Sequence, residues 1–385
     1  MLEGKKIVFI SEKSGFSDRV ERYIYQTARL LKKHGAKVFG AFFEHVPGTQ
    51  QFQSVFDGLY APDNLSASDI DLLCVHKLPS IVHHKKIQSA FGEKVALFLH
   101  DHSSYCPRSS KLMPFSGKGC ERRYNRCFCS ICGMMRSPST WTNGLVSEIN
   151  EKVVLFQDNL DIIRKYHHTV VLACFMRDNL LANGFSPACL HVIPPYIFIP
   201  QKMTSHKNTP LPMILFISQL NSSENARTFI EVLSRLRNPF QATIIGDGKD
   251  KPALEKLVKK KGLETKVTFK GLSNPEEYFP LADLALIPIS NNEPYSLAVA
   301  ECAAWGLPVV SSLSKGLEEA LQNGVTGFTD SNHDIDAMTI AVEKLLVDPD
   351  LRQELGAHGY KLVSQNFAEE EFIRKFEKLL DTTTS

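Results

Sequence analysis

The sequence contains no long apolar run: none of its hydrophobic stretches approaches the roughly 18 residues a helix needs to cross a bilayer, so no membrane-spanning helix is expected in these 385 residues. Net charge is also nearly absent. Lys and Arg number 44 against 42 Asp and Glu, a balance of +2, which makes too weak a field to draw the chain to nucleic acid. A secretory leader is not expected either. The opening MLEGKKIVFISEK places charges on both sides of a short apolar run, the pattern of a first strand rather than a signal segment. These absences lead us to expect a cytoplasmic protein whose cysteines are mostly reduced. Peripheral contact with the inner membrane face stays open, because an amphipathic surface needs no obvious motif.

The composition is that of a globular protein, 43% hydrophobic and 22% charged, and the length suits two domains. The basic runs HHKK (83–86) and KLVKKKGLETK (256–266) read as solvated helix faces. Short β-branched runs alternate with helical patterns. KIVFI (6–10), KVFGAFF (37–43), DIDLLCVH (69–76), KVALFLH (94–100), VVLFQ (153–157), TVVLACF (169–175) and HVIPPYI (191–197) read as strands. Between the first two, VERYIYQTARLLKKHG places Ile24, Ala28 and Leu31 on one helical face, with Gly35 at a C-cap position. Continuous apolar runs separated by helices indicate parallel strands buried on both faces.

A polar, proline-containing segment at 199–212 reads as a linker, after which the rhythm restarts. MILFISQ, QATIIGDG, KVTFKG, DLALIPIS, PVVSS and the end of GVTGFTD are strands with helices between them, and the tail is helical. The reading is two doubly wound α/β domains, 1–198 and 213–365, with a last helical stretch, 366–385, returning to the first. Such sheets bind ligands beyond the carboxyl ends of their strands, so a shared ligand would lie in the cleft between the domains.

The most informative segment is NNEPYSLAVAECAAWGLPVVSS (291–312). Seven residues separate Glu293 from Glu301, and a helix starts between them near Ser296. A helix N-terminus offers free N–H groups and a positive dipole end, which suit phosphate. A ligand carrying phosphates between two hydroxyl-rich groups would be gripped at three points.

On these residues the chain resembles the family-4 retaining glycosyltransferases of the GT-B fold, whose pattern is E-x7-E. The match runs Glu293-Pro294-Tyr295-Ser296-Leu297, then Glu301-Cys302-Ala303-Ala304-Trp305-Gly306-Leu307-Pro308-Val309-Val310. IIGDG (244–248), VTFKG (267–271), LADLALIPIS (281–290) and NGVTGF (323–328) support it. In the first half the likeness rests on topology, the Gly15 loop and the His-Asp at 100–101.

The resemblance implies two Rossmann-like domains facing across a cleft and a nucleotide-diphosphate sugar as donor, with UDP-sugars foremost. The acceptor, a saccharide, a lipid or a small metabolite, is left unnamed, as is the oligomeric state. It also implies front-face displacement with retention, in which the donor phosphate takes the acceptor's proton, with no obligate catalytic metal. Glu293 would stand near the donor sugar and Glu301 on the ribose hydroxyls. The backbone of Tyr295, Ser296 and Leu297 would hold the diphosphate, and Gly271 with Leu272 would line the base pocket. Gly246 and Gly15 join the donor-binding set. His100, Asp101 and His102, at the end of KVALFLH, are the candidates for contact with the donor sugar or leaving phosphate; His76 ends a strand in the same way.

One departure concerns charge. The family places an arginine, and a lysine some five residues on, after the first strand of its second domain; here Gln219 and Glu224 stand there. Losing both cations from a site of developing negative charge costs on the order of several kcal/mol in the transition state. Lys315 and Arg108 are candidate replacements. The family's Asn-Gly at the end of the first half is likewise replaced, by Pro194-Pro195-Tyr196.

Five of the nine cysteines fall between 106 and 132, in an insert spanning about 102–140. Cys106, Cys120, Cys129 and Cys132, with Cys127 as alternate, have a spacing open to structural zinc, to an iron–sulfur cluster or to free, redox-active thiols. The insert's Arg108, Lys111, Lys118, Arg122, Arg123 and Arg126 are candidates to face phosphates or an anionic acceptor. The leading expectation is therefore a retaining glycosyltransferase. The alternatives are a catalytically weak nucleotide-sugar-binding or partner subunit and a redox- or metal-sensing module on the same fold.

Overall fold

The computed structural model describes residues 2–16, 19–46, 49–111, 113, 119–134, 156–203, 211–221, 223–289, 295–312, 315–330 and 334–383. The chain forms two compact units, Met1–Pro195 with Glu369–Ser385, and Tyr196–Ala368.

The described residues of the first unit form a seven-stranded parallel sheet: β1 (Lys6–Ser14), β2 (Lys37–His45), β3 (Gly58–Tyr60), β4 (Leu72–Val75), β5 (Val95–Leu99), β6 (His168–Val171) and β7 (Leu190–Val192). The spatial order is 3-2-1-4-5-6-7. Ile7, Val8, Phe9, Leu72, Leu73, Cys74 and Val75 are all fully buried, which is why β1 and β4 read as unbroken apolar runs. The connecting helices are α1 (Arg19–Lys33), α2 (Gln50–Gln53), α3 (Ile81–Phe91), α4 (Arg126–Met134), α5 (156–163) and α6 (Cys174–Ala182). Helix α1 buries Ile24, Ala28 and Leu31, and Gly35 follows it at φ +87°, a conformation glycine adopts without steric cost.

Three sequence expectations need correction. Phe156 and Gln157 lie in α5 rather than a strand; the rest of VVLFQ falls outside the described residues. The apolar run TVVLACF is divided, since β6 ends at Val171 and Cys174 opens α6; one apolar run serves a buried strand and a buried helix equally well. In HVIPPYI only Leu190–Val192 pair, because Pro194 and Pro195 have no N–H to offer a ladder.

The second unit's described residues form a six-stranded parallel sheet: β8 (Met213–Ile217), β9 (Gln241–Ile245), β10 (Val267–Phe269), β11 (Leu284–Ile287), β12 (Val309–Ser312) and β13 (Gly327–Asp330), in the order 10-9-8-11-12-13. Its helices are α7 (Ser223–Leu233), α8 (Lys251–Lys260), α9 (Leu297–Ala304), α10 (Ile335–Val347) and α11 (Pro349–Asn366). The second unit begins before its first strand, where Ile197 N–H donates to Phe367 O (3.0 Å) and Tyr360 OH to Pro200 O (2.8 Å). The last helix, α12 (Glu369–Thr383), belongs to the first unit. There the Glu369 carboxylate accepts from Lys33 (2.6 Å) and meets His34 Nε2 (2.8 Å).

In both sheets the chain starts at a central strand, builds outward on one side, then crosses to the other. The strand order therefore reverses between β1 and β4 and between β8 and β11, the positions where such folds bind ligands. Among the described residues no helix is long and apolar enough to cross a membrane.

Helix α9 is held by close packing of α11. A Cβ at Gly356 would come within 1.9 Å of Gly306 O. Gly356→Ala is therefore expected to push α11 off the end of α9 and to destabilise by about 1–3 kcal/mol or more, read as a lowered urea midpoint.

Candidate functional site

At the carboxyl edge of the second sheet, the loops after β8 and β9 lock together through their backbones. Ser218 N–H donates to Ile245 O (3.1 Å), Leu220 N–H to Asp247 O (2.9 Å) and Gly246 N–H to Gly271 O (2.8 Å). Gly246 has φ +140°, and a Cβ there would lie 1.8 Å from Ser218 O; one at Gly248 would lie 2.4 Å from Leu220 C. Both glycines are thus required by backbone approach. Gly271 has φ +64°, and the Leu272 side chain beyond it is fully open to solvent at 84% exposure. Gln219 is exposed, as is Glu224 in the first turn of α7. The spacing gave no hint of Lys251, whose Nζ lies 4.0 Å from where a Cβ on Gly271 would be, beside Asp247 Oδ2 at 3.9 Å.

Helix α9 starts at Leu297 with Ser296 as N-cap, and the Ser296 side chain makes no capping hydrogen bond. The first-turn N–H groups have no partner within the helix. Tyr295 is buried, stacks near Phe367 (ring centroids 5.7 Å apart), and has its phenol pKa pushed well up by burial and then by Glu301 and Glu319. Glu301 is half-buried one turn into α9. Glu293 lies outside the described residues. Lys315 is exposed at the start of a short 3-10 turn after β12.

At the carboxyl edge of the first sheet, Gly15 follows β1 at φ +114°, and a Cβ there would meet Thr49 Cγ2 at 2.8 Å. His76 follows β4 and His100 follows β5. The strands are neighbours, and His76 Nδ1 lies 2.8 Å from His100 Nε2. His76 stacks on Phe98 (4.8 Å) and Phe9 (5.8 Å), and burial, then His100, holds its pKa well below the usual range. Asp101 is exposed and accepts from Ser103 N–H (2.8 Å), closing its own turn. His102 is turned inward at 1% exposure, bonded through Nδ1 to Tyr105 OH. The geometry thus separates the three residues of the His-Asp-His run.

The cysteine insert is built around a buried lysine. Lys111 is 2% exposed, and its Nζ donates to Arg122 O (2.7 Å). Burial pulls the Lys111 pKa down, while Cys120, Cys106 and Cys129 nearby oppose that. Asn125 N–H donates to Cys129 Sγ (3.4 Å), and Arg108 Nη1 to Cys132 Sγ (3.7 Å). Arg108 is therefore engaged within the insert, and Arg122 lies over the Phe128 ring (4.1 Å). Arg123 and Arg126 are exposed, and Lys118 lies outside the described residues. All four proposed ligands, and Cys127, are free thiols. The zinc expectation finds no support, since among the described residues no group of three or more His, Cys, Asp or Glu could hold a metal ion. Burial raises the pKa of Cys129, and Cys106, Cys132 and Cys120 lie near enough to raise it further, so these thiols share one neighbourhood without forming such a group.

Residues 200–362 match the family model described as glycosyl transferases group 1. The matched residues lie within the second unit, which is thus similar to the group 1 glycosyl transferases. Over 164 residues the chain is 29% identical to the alpha-D-kanosaminyltransferase of Streptomyces kanamyceticus, covering 41% of this chain and 42% of that protein. It is 26% identical to the lipopolysaccharide core biosynthesis glycosyltransferase LpsE of Rhizobium meliloti, covering 44% and 49%. The alignments thus span less than half the length of these relatives. The fold as a whole is similar to that of Anabaena Alr3699/HepE in complex with UDP, with a TM-score of 0.72 over 98% of this chain and 100% of that one, at 16% identity. The group 1 domain and two Rossmann-like parallel sheets together place the chain's architecture with the GT-B glycosyltransferases.

Proposed function

We propose that the protein transfers a sugar from a nucleotide-diphosphate sugar to a hydroxyl acceptor with retention of anomeric configuration. The observation that carries this is the start of α9: first-turn N–H groups that the Ser296 side chain does not cap, and a half-buried carboxylate, Glu301, one turn on. The N–H groups suit the donor diphosphate, and Glu301 suits the paired hydroxyls of its ribose. Gly271 and Leu272 serve the base, with the loops of Gly246 and Gln219 beneath. His100 and Asp101, at the edge of the other sheet, and Glu293 are assigned to the transferring sugar. UDP is the first nucleotide to test, because Alr3699/HepE is a structural neighbour seen with UDP.

Chemistry in such a site rests on positioning and on stabilising the leaving diphosphate. The acceptor hydroxyl attacks the anomeric carbon on the face the diphosphate leaves, the new C–O bond forms as the old one breaks, and the hydroxyl proton passes to the departing phosphate. Lys251, whose Nζ lies beside Gly271, adds positive charge to a site that has Glu224 in place of a cation.

Incubation with a panel of UDP-, GDP-, ADP- and dTDP-sugars tests this. One donor is expected to be consumed, with proton NMR of the released or transferred sugar showing the donor's own anomeric configuration. Inverted product would overturn retention, and an untouched panel would overturn transfer. A second reading, a nucleotide-sugar-binding subunit without turnover, is favoured by Gln219 and Glu224 in place of cations; it predicts donor binding with no consumption.

A further inference from the structure

We infer that His76 is a positioning residue that fixes the tautomer of His100. This rests on the proposed role of His100 at the transferring sugar, but the geometry behind it is independent of that role. The two rings meet at His76 Nδ1 and His100 Nε2, 2.8 Å apart, and one proton must lie between them. His76 Nε2 is buried with no hydrogen-bond partner. The rings of Phe9 and Phe98 lie nearly parallel to His76, at 16° and 26°, so they cover its faces and offer no acceptor in its plane.

Two arrangements are available to neutral rings. If His100 Nε2–H donates, His76 must carry its own proton on Nε2, leaving a buried N–H with no acceptor. If His76 Nδ1–H donates, its Nε2 is a bare lone pair and every N–H of the ring is used. An orphaned buried donor is the rarer and costlier defect, so the proton sits on His76 Nδ1. The same burial keeps His76 neutral, so it has no second proton to place.

The consequence falls on His100. Its Nε2 is an acceptor already in use, and its single proton is on Nδ1. The proton of His100 thus sits on Nδ1, and any partner of that nitrogen, a sugar or phosphate oxygen included, must accept from it. Tyr23, edge-on to His100 at 4.9 Å, limits the ring's rotation, so the tautomer is a directional property of the site. The residues are 24 positions apart and come together only because β4 and β5 are adjacent strands.

The test is long-range proton–nitrogen NMR on the full chain labelled at histidine nitrogen, with His100 assigned by substitution. The wild type is expected to show His100 as the Nδ1–H tautomer. His76→Phe keeps the stacked, buried shape but removes the donor, and should move His100 to a predominantly Nε2–H form. His76→Asn places an amide N–H near the lost Nδ1 and should restore the wild-type pattern. A wild-type His100 protonated on Nε2, or a pattern unchanged in His76→Phe, would overturn the inference. Turnover is a separate readout: His76→Phe should lower kcat with little change in donor KM, and His76→Asn should recover part of it. A wild type that consumes no donor yet shows the predicted tautomers would defeat the proposed function and leave the assignment of His76 standing.

Discussion

Glu301→Ala is expected to weaken donor binding about a hundredfold. The carboxylate is half-buried one turn inside α9, and in the proposed donor pose it accepts from two ribose hydroxyls. Hydrogen bonds to a charged group contribute about 1.5–3 kcal/mol each, and two at the lower figure give roughly two decades in affinity. Because the ribose is held equally in ground and transition states, the loss should fall on donor KM and Kd rather than kcat. Titration calorimetry with the preferred donor measures it. Wild-type affinity in Glu301→Ala would remove Glu301 from the donor site.

The largest stability effect is expected at Arg352. This guanidinium is 2% exposed, and its Nη2 lies 3.8 Å from Oδ1 of buried Asp283, the residue just before β11. Its Nη1 donates to Leu345 O (2.6 Å) and Leu346 O (3.2 Å), the last carbonyls of α10, which have no partner within the helix. Asp283 Oδ2 in turn accepts from Met213 N–H (2.8 Å) at the start of β8. One side chain thus ties α10 and α11 to the two strands flanking the switch point. Arg352→Met leaves a buried carboxylate unpaired and carbonyls uncapped, and should cost about 3–5 kcal/mol, read as a fall in the urea midpoint. Arg352→Met with Asp283→Asn should recover part of that cost, because removing both charges is far less harmful than removing one. If the double variant is as unstable as the sum of the singles, the pair is not coupled.

How much could be read in advance depended on whether the physics was local. Strands β1, β4, β5, β8 and β11 are buried on both faces, so their apolar runs announce them without neighbours. The helix start at Ser296 was legible because a serine before an apolar run is a local N-terminus signal. That Gln219 and Glu224 depart from the resembled pattern was also visible, since the likeness fixes which positions to compare. The pairing of His76 with His100 was not, because it depends on strand adjacency. Nor was the reason for Gly246 and Gly248: a glycine in a turn looks the same whether it admits a ligand or, as here, a neighbouring backbone carbonyl. His102 looked equivalent to His100 in the run His-Asp-His, yet the turn closed by Asp101 sends it inward to Tyr105. In the cysteine stretch the spacing suggested metal, for which the described residues give no support, and it gave no hint of the buried Lys111 beside the thiols.

The central claim is that the second unit binds a nucleotide-diphosphate sugar across the start of α9. Thermal unfolding of the full chain against increasing concentrations of each nucleotide sugar tests it most directly, because a ligand that binds only the native state raises the midpoint by mass action. The account predicts that at least one nucleotide-diphosphate sugar raises the midpoint in a concentration-dependent way, and that Glu301→Ala abolishes the rise at the same concentrations. No rise with any nucleotide sugar, or an undiminished rise in Glu301→Ala, would contradict it.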